Sequence, residues 1–262
     1  MFEQTSASPY ESNSPVLAHN SSTQSDHYGL SKIVAIGYGQ NKKQRLPLSR
    51  YSLNINVIGL GTMGTVTGIG LAALGHKVIA IDHDQRKVNA INQGRVSPTD
   101  LKLKALVKQV RRLNNLIASG DLHHAILNTE LTMVCIGNSR QQNNTTHSDT
   151  MTTVVAQISA TLRCKRNFHL IVICQPTASA DLQNAIGTDI ENRTGKTLGR
   201  DFGLCFVPLK LTEDQALSDF YALPKMTIAA SDTKSERLAE QLFDGFNNKI
   251  KFFRYNKNST EL

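Results

Sequence analysis

The hexapeptide Gly59-Leu60-Gly61-Thr62-Met63-Gly64 constrains this chain more than any other stretch, because it joins two segments of different period. Leu53 to Gly59 carries the apolar pattern of a short strand, and Thr62 to Leu74 is a run of small and apolar residues closed by Gly75, the C-cap glycine of a helix. A glycine pattern of this spacing is weak evidence alone. Placed directly after a strand and opening a helix, it predicts a turn whose backbone can approach a phosphate. Gly59 permits the tight turn, Gly61 leaves no side chain where a pyrophosphate would meet the backbone, and Gly64 lets the helix pack closely on the strand. The first helical amides, at Thr62, Met63 and Gly64, then present free N–H groups and a partial positive charge.

About twenty residues further on, the spacing typical of a dinucleotide fingerprint, the strand-like segment Lys77 to Asp82 ends in a carboxylate. Asp82 is placed to accept hydrogen bonds from the adenosine ribose hydroxyls and to repel a 2′-phosphate, which favours NAD over NADP. Arg86 and Lys87 complicate that preference, since a cation there accommodates a phosphate. The competing reading is a glycine turn and a capping aspartate that hold no ligand.

The rest of the body continues the alternation. A helix is expected over Gln85 to Gln93, capped by Gly94, and a longer one over Asp100 to Ser119. Strands are expected over Leu131 to Ile136, His169 to Cys174 and Phe202 to Val207, with helical segments near 149 to 162 and 180 to 193. This is the pattern of an α/β fold, a doubly wound, mostly parallel Rossmann-like sheet with helices on both faces. Residues 1 to 50 read as a polar, largely disordered extension in which Lys32 to Gly37 has the pattern of a short strand, 51 to 246 as the dinucleotide-binding domain, and 247 to 262 as a short basic tail.

Composition narrows the function classes. With 262 residues, mean hydropathy −0.26 and no apolar run long enough to cross a bilayer, the chain is expected to stay off the membrane. The polar N-terminus lacks the basic start and apolar core of a secretory signal, so a cytoplasmic protein is expected. The net charge of +8 invites a nucleic-acid partner, but the sequence shows no clustered basic motif and no Trp to stack on bases, so none is expected. Cys135, Cys164, Cys174 and Cys205 lie far apart without zinc-ligand spacing and read as buried, reduced thiols, with no metal site. His123 and His124 beside Asp121 read as a surface group, and His147 with Asp149 as part of a polar loop.

The glycine loop, Leu71-Ala-Ala-Leu-Gly-His76 running on to Asp82, and Lys87-Val-Asn-Ala-Ile-Asn-Gln-Gly94 together resemble the N-terminal domain of the UDP-glucose/GDP-mannose dehydrogenase family. Asp201-Phe-Gly203 and Ala216 to Ile228 resemble its GDP-mannose 6-dehydrogenase branch, and the likeness covers roughly residues 53 to 246. The resemblance implies two successive NAD-dependent oxidations of a sugar C6 alcohol to a carboxylate, through a thioester on a cysteine, in the synthesis of acidic polysaccharides. It carries the cofactor role onto Gly59, Gly61, Gly64, Asp82 and Lys87. The catalytic match is poorer. Pro176 stands where the family has a water-positioning Thr, with Thr177 one place late, and the family's Val-Gly-Thr-Pro loop reads Ile136-Gly137-Asn138-Ser139. In Val207-Pro208-Leu209-Lys210-Leu211-Thr212-Glu213 only Pro208, Leu211 and Glu213 are kept, and Glu213 matches the candidate general base for thioester hydrolysis. None of the four cysteines matches the nucleophile, which the family carries in a later domain. The expectation is therefore an NAD-binding domain of a nucleotide-sugar 6-dehydrogenase, truncated or divergent and not catalytically complete alone. A separate polypeptide would supply the sugar-binding half. The alternative is a non-catalytic module that senses NAD or joins a polysaccharide-synthesis assembly.

Overall fold

The computed structural model describes residues 35–37, 43–45, 48–96, 101–136, 147–175, 180–212, 215–221, 227–246 and 250–254. Two short strands, β1 (Ala35–Gly37) and β2 (Lys43–Arg45), pair antiparallel with each other. The body then runs β3 (Asn54–Ile58), α1 (Thr62–Ala73), β4 (Lys77–Ile81), α2 (Gln85–Asn92), α3 (Leu101–Arg112), β5 (Leu116–Ser119), α4 (Leu122–Leu127) and β6 (Leu131–Val134). It continues through α5 (His147–Leu162), β7 (His169–Cys174), α6 (Ala180–Thr194), β8 (Phe202–Val207), α7 (Ala216–Tyr221), β9 (Thr227–Ala230), α8 (Thr233–Leu242) and β10 (Lys251–Arg254).

Eight strands form one sheet in the order β10-β9-β8-β7-β6-β3-β4-β5. From β5 to β8 all neighbours are parallel, and the order reverses between β3 and β6. That reversal is the switch point at which open α/β sheets bind ligands, beyond the carboxyl ends of their strands. β9 turns antiparallel to β8, and β10 runs parallel to β9. The expected mostly parallel, doubly wound sheet is present.

Strand periodicity divides the core between the two faces. Along β7, Leu170, Val172 and Cys174 join the cluster formed with α1, α2, α3, α7 and α8, while Ile171 and Ile173 join the cluster formed with α4, α5 and α6. In α3 the buried positions Leu103, Leu106, Val107 and Val110 recur at helical spacing. α1 is different, with every residue from Gly64 to Ala73 buried. Its small side chains allow this: a Cβ on Gly70 would overlap the ring of Phe220 in α7, whose neighbour Tyr221 donates from its hydroxyl to the Gly70 carbonyl at 3.1 Å.

Several expected boundaries move. The helix expected over 100 to 119 is two elements, because Asn114 takes a left-handed φ of +53° after α3 and the chain then enters β5. The segment expected to be a basic tail supplies β10, and in the N-terminal extension β1 falls within the strand-like Lys32 to Gly37 while β2 was not expected. Arg50, still within that extension, holds Asp244 through its backbone N–H at 2.6 Å and its guanidinium at 2.7 Å. α5 begins at His147, within the stretch read as loop. Cys135, Cys174 and Cys205 are buried, but Cys164 is exposed beyond the end of α5. Among the described residues no helix is long and apolar enough to cross a membrane.

Buried polar side chains lock the amino ends of the central strands. Asn56 donates to Thr129 at 2.7 Å and Thr132 at 2.8 Å, and the Thr132 hydroxyl meets His169 Nε2 at 2.7 Å. His76, also buried, accepts from the Leu53 N–H at Nδ1 and reaches the Leu242 carbonyl from Nε2 at 3.1 Å, clipping β3 to the end of α8. Burial drives both imidazoles neutral, His76 to a pKa of about 4 and His169 to about 3, against an ordinary 6.5.

Candidate cofactor site

β3 delivers the glycine loop to the switch point. The Gly59 N–H donates to the Ile81 carbonyl at 2.8 Å, which holds the start of the loop against the end of β4. Gly59 has φ +96°, and a Cβ there would stand 2.8 Å from the Cys135 carbonyl at the end of β6. A Cβ on Gly64 would overlap the carbonyl of Gly59 and come within 3.3 Å of the Cys135 Cβ. The third glycine thus serves the turn itself as well as the packing of helix on sheet. Gly61 is the opposite case: it is exposed, its φ of −73° is open to any residue, and a Cβ there would meet nothing within 4 Å.

That open space lies at the N-terminus of α1. Gly61 is the N-cap, no side chain caps the helix, and its first turn holds no acidic residue. The amide dipoles of Thr62, Met63 and Gly64 therefore carry positive potential that no acidic residue of that turn meets. An anion fits here.

Asp82 sits at the end of β4, 6% exposed. Its Oδ2 accepts from the Leu60 N–H at 2.7 Å and the Lys87 ammonium at 3.2 Å, and its Oδ1 accepts from the Asp84 N–H at 2.9 Å. Burial works against the charge, but the Asp84 and Leu60 amides with the Lys87 ammonium outweigh it and hold Asp82 below the ordinary carboxylate range. The carboxylate thus ties the glycine loop to β4 and to α2. His83 Nδ1 stands 3.5 Å from Oδ1, and half-exposed Lys87 can swing off Oδ2.

The structure brings Gly59, Gly61, Thr62, Met63, Gly64, Asp82 and Lys87 together at one place. Glu213 lies outside the described residues, as do Pro176, Thr177 and Gly137-Asn138-Ser139. Asp121 is spent as the N-cap of α4, accepting from the His124 N–H, and His123 meets the Thr161 hydroxyl at 3.1 Å. The sequence reading missed Asp84. This residue caps α2 and holds Arg86 in a two-pronged bond, Nε to Oδ1 at 3.0 Å and Nη2 to Oδ2 at 2.9 Å. An Asp standing just before a helix was the available signal.

A family model described as "UDP-glucose/GDP-mannose dehydrogenase family, NAD binding domain" matches residues 53–247. The chain belongs to this family. Among its relatives, the GDP-mannose 6-dehydrogenase of Pseudomonas aeruginosa is 29% identical over 191 residues, which are 73% of this chain and 44% of that protein. A UDP-glucose 6-dehydrogenase of Haloferax volcanii is 28% identical over 72% of this chain and 44% of its own length. The crystal structure of a ternary complex of GDP-mannose dehydrogenase from Pseudomonas aeruginosa superposes with TM-score 0.72 at 28% identity, covering 78% of this chain and 47% of that one. This dehydrogenase-family chain therefore spans about half the length of the relatives it matches, and the half it spans is the NAD-binding one.

Proposed function

We propose that this chain holds NAD for the oxidation of a nucleotide sugar at C6, with GDP-mannose or a close analogue as the substrate class. The observation that carries the cofactor part is the open N-cap at Gly61, where an uncapped helix N-terminus meets space that a side chain would fill. Gly59, Gly61 and Gly64 shape the turn, the Thr62, Met63 and Gly64 amides face the pyrophosphate, and Asp82 with Lys87 receives the adenosine ribose. Bound NAD supplies a hydride acceptor. The chain's own part is to hold the dinucleotide and orient it at the switch point between β3 and β6.

The sugar-binding half and the nucleophilic cysteine come from outside residues 53–247, on a partner polypeptide or another segment. The family resemblance supports Glu213 as the base for thioester hydrolysis. A second reading, a cytoplasmic NAD-sensing or assembly module of polysaccharide synthesis without chemistry, draws its support from Pro176 and from the altered residues Leu209 and Lys210.

Calorimetric titration with NAD, beside Asp82→Ala and Gly61→Val, tests the cofactor site. Binding that weakens at least about tenfold in both variants, a loss of about 1.4 kcal/mol, is expected. No binding by the wild-type chain overturns the reading. Adding candidate partner chains with NAD and GDP-mannose separates the two functions, since only the enzyme reading produces NADH, and only there does Glu213→Gln reduce steady turnover to a single burst of NADH.

A further inference from the structure

Arg86, four residues past the expected ribose carboxylate, is held out of play by a second carboxylate. Asp82 and Asp84 leave the end of β4 two residues apart, and Arg86 and Lys87 follow in the first turn of α2. Each cation is matched with one acid. Lys87 bonds Asp82 at 3.2 Å, and Arg86 lays its fork on Asp84 at 2.9 and 3.0 Å. These four side chains, two carboxylates and two cations, sum to zero charge. The Arg86 side chain is 92% exposed, so no packing immobilises it, and what fixes its guanidinium is the Asp84 carboxylate. Arg86 in turn holds the Asp84 carboxyl down at a pKa of about 2, so the pair stays ionised throughout the physiological range.

Arginine is the side chain that suits a phosphate dianion, because its planar fork matches the oxygens. An Arg four residues past the ribose carboxylate is therefore a latent 2′-phosphate site, and the Asp82 carboxylate alone would oppose its use. We infer that Asp84 sets the cofactor preference of this domain by sequestering Arg86, so that NADP finds a neutral cluster and a repelling Asp82 where it needs a free cation. Asp84 itself touches neither ribose nor phosphate in this scheme and acts through Arg86. The inference rests on the cofactor site proposed above.

The same residue caps α2, accepting from the Arg86 N–H at 2.9 Å, so the test must keep the cap. Asp84→Ser does so, since serine caps a helix about as well as aspartate, yet it offers the guanidinium neither a charge nor a second acceptor oxygen. Titrations with NAD and with NADP are run on the wild-type chain, Asp84→Ser, Arg86→Ala and the double variant, with a thermal melt on each to confirm folding. The wild-type chain should prefer NAD, and Asp84→Ser should raise NADP affinity about tenfold, the scale of one charge-assisted phosphate contact, while NAD affinity stays within about twofold. Arg86→Ala alone leaves Asp84 unmatched and should make NADP binding no tighter than in the wild-type chain, and adding it to Asp84→Ser should erase the gain. Unchanged NADP affinity in Asp84→Ser, with NAD binding intact, overturns the assignment. A gain that survives in the double variant does so too, because it would trace to the lost negative charge and not to Arg86. Absence of NAD binding in the wild-type chain overturns the cofactor site and this inference together.

Discussion

Two glycines of one loop, Gly61 and Gly64, three positions apart, should fail in different ways when each is changed to alanine. At Gly61 the added methyl meets nothing within 4 Å and the backbone already has a φ any residue adopts. Losing glycine stiffens the unfolded chain and stabilises by about 0.4–1 kcal/mol, whereas alanine is a poorer N-cap than glycine by a comparable amount. The two offset, and the melting temperature should move by only a few degrees. The methyl does, however, occupy the space proposed for the pyrophosphate, so NAD affinity should fall at least tenfold, about 1.4 kcal/mol. At Gly64 the methyl overlaps the Gly59 carbonyl, with the Cys135 Cβ 3.3 Å away, and neither backbone nor β6 can yield cheaply. Overpacking of this kind costs about 1–3 kcal/mol or more, so Gly64→Ala should unfold early whether or not NAD is present. The assays are urea denaturation for stability and calorimetry for NAD. If Gly61→Ala binds NAD as the wild-type chain does, the open space is not where the cofactor lies; if it is destabilised as much as Gly64→Ala, the reading of the loop is wrong.

Other outcomes follow from the packing and the buried imidazoles. His76 is neutral when folded, with its pKa depressed from 6.5 to about 4, so its stabilising share is present above pH 6.5 and is lost as pH falls toward 4. Between pH 7.5 and 5 that loss is about 2 kcal/mol, His169 adds a similar amount, and denaturation curves of His76→Gln should show a visibly flatter pH dependence than wild type. A variant whose stability falls as steeply with acid would refute the assignment. Phe220→Ala removes a fully buried ring seated against Gly70 and should cost about 3–5 kcal/mol, read as a drop in the urea midpoint. In the native state a maleimide reagent should modify Cys164 alone among the four cysteines, because Cys135, Cys174 and Cys205 are buried and burial holds the Cys205 thiol well above its ordinary range. Labelling of a second cysteine without denaturant would show that the sheet opens.

What could be read in advance was local. The turn at Gly59 to Gly64, the C-cap glycines Gly75 and Gly94 and the five strands β3, β4, β6, β7 and β8 each announce themselves within a few residues, because positive φ and period-two burial leave compositional marks. β5 was hidden because Leu113 and Leu116 prolong the three-residue spacing that ends at Val110, and only the Asn114-Asn115 pair marks the break. β10 reads as a basic tail for a physical reason: an edge strand has one neighbour, so Lys251, Phe253 and Arg254 stay exposed and no apolar run forms. In the candidate site the residue identities were legible, but the bond between Leu60 and Asp82 was not. It exists because β3 and β4 pair in parallel with Ile58 opposite Ile81, a register that neither segment states by itself.

The two ends of the central strands are built by opposite chemistry, and this links stability to the ligand. At the amino ends, Asn56, Thr129, Thr132 and His169 form a buried, hydrogen-bonded set. At the carboxyl ends, the first turn of α1 has neither a side-chain cap nor an acidic residue, although a cap alone is worth about 1 kcal/mol. A fold that caps α2, α4 and α8 with Asp84, Asp121 and Asp232 has the means to cap a helix. At α1 an Asp or Ser in place of Gly61 would recover that stability while filling the phosphate space and, for Asp, placing a negative charge against it. The missing cap is thus a stability cost tied to keeping an anion site open, and the anion should return it. NAD at about one hundred times its dissociation constant should then stabilise the chain by about 2.7 kcal/mol, and Gly61→Asp should melt no lower than wild type without NAD while gaining nothing when NAD is added.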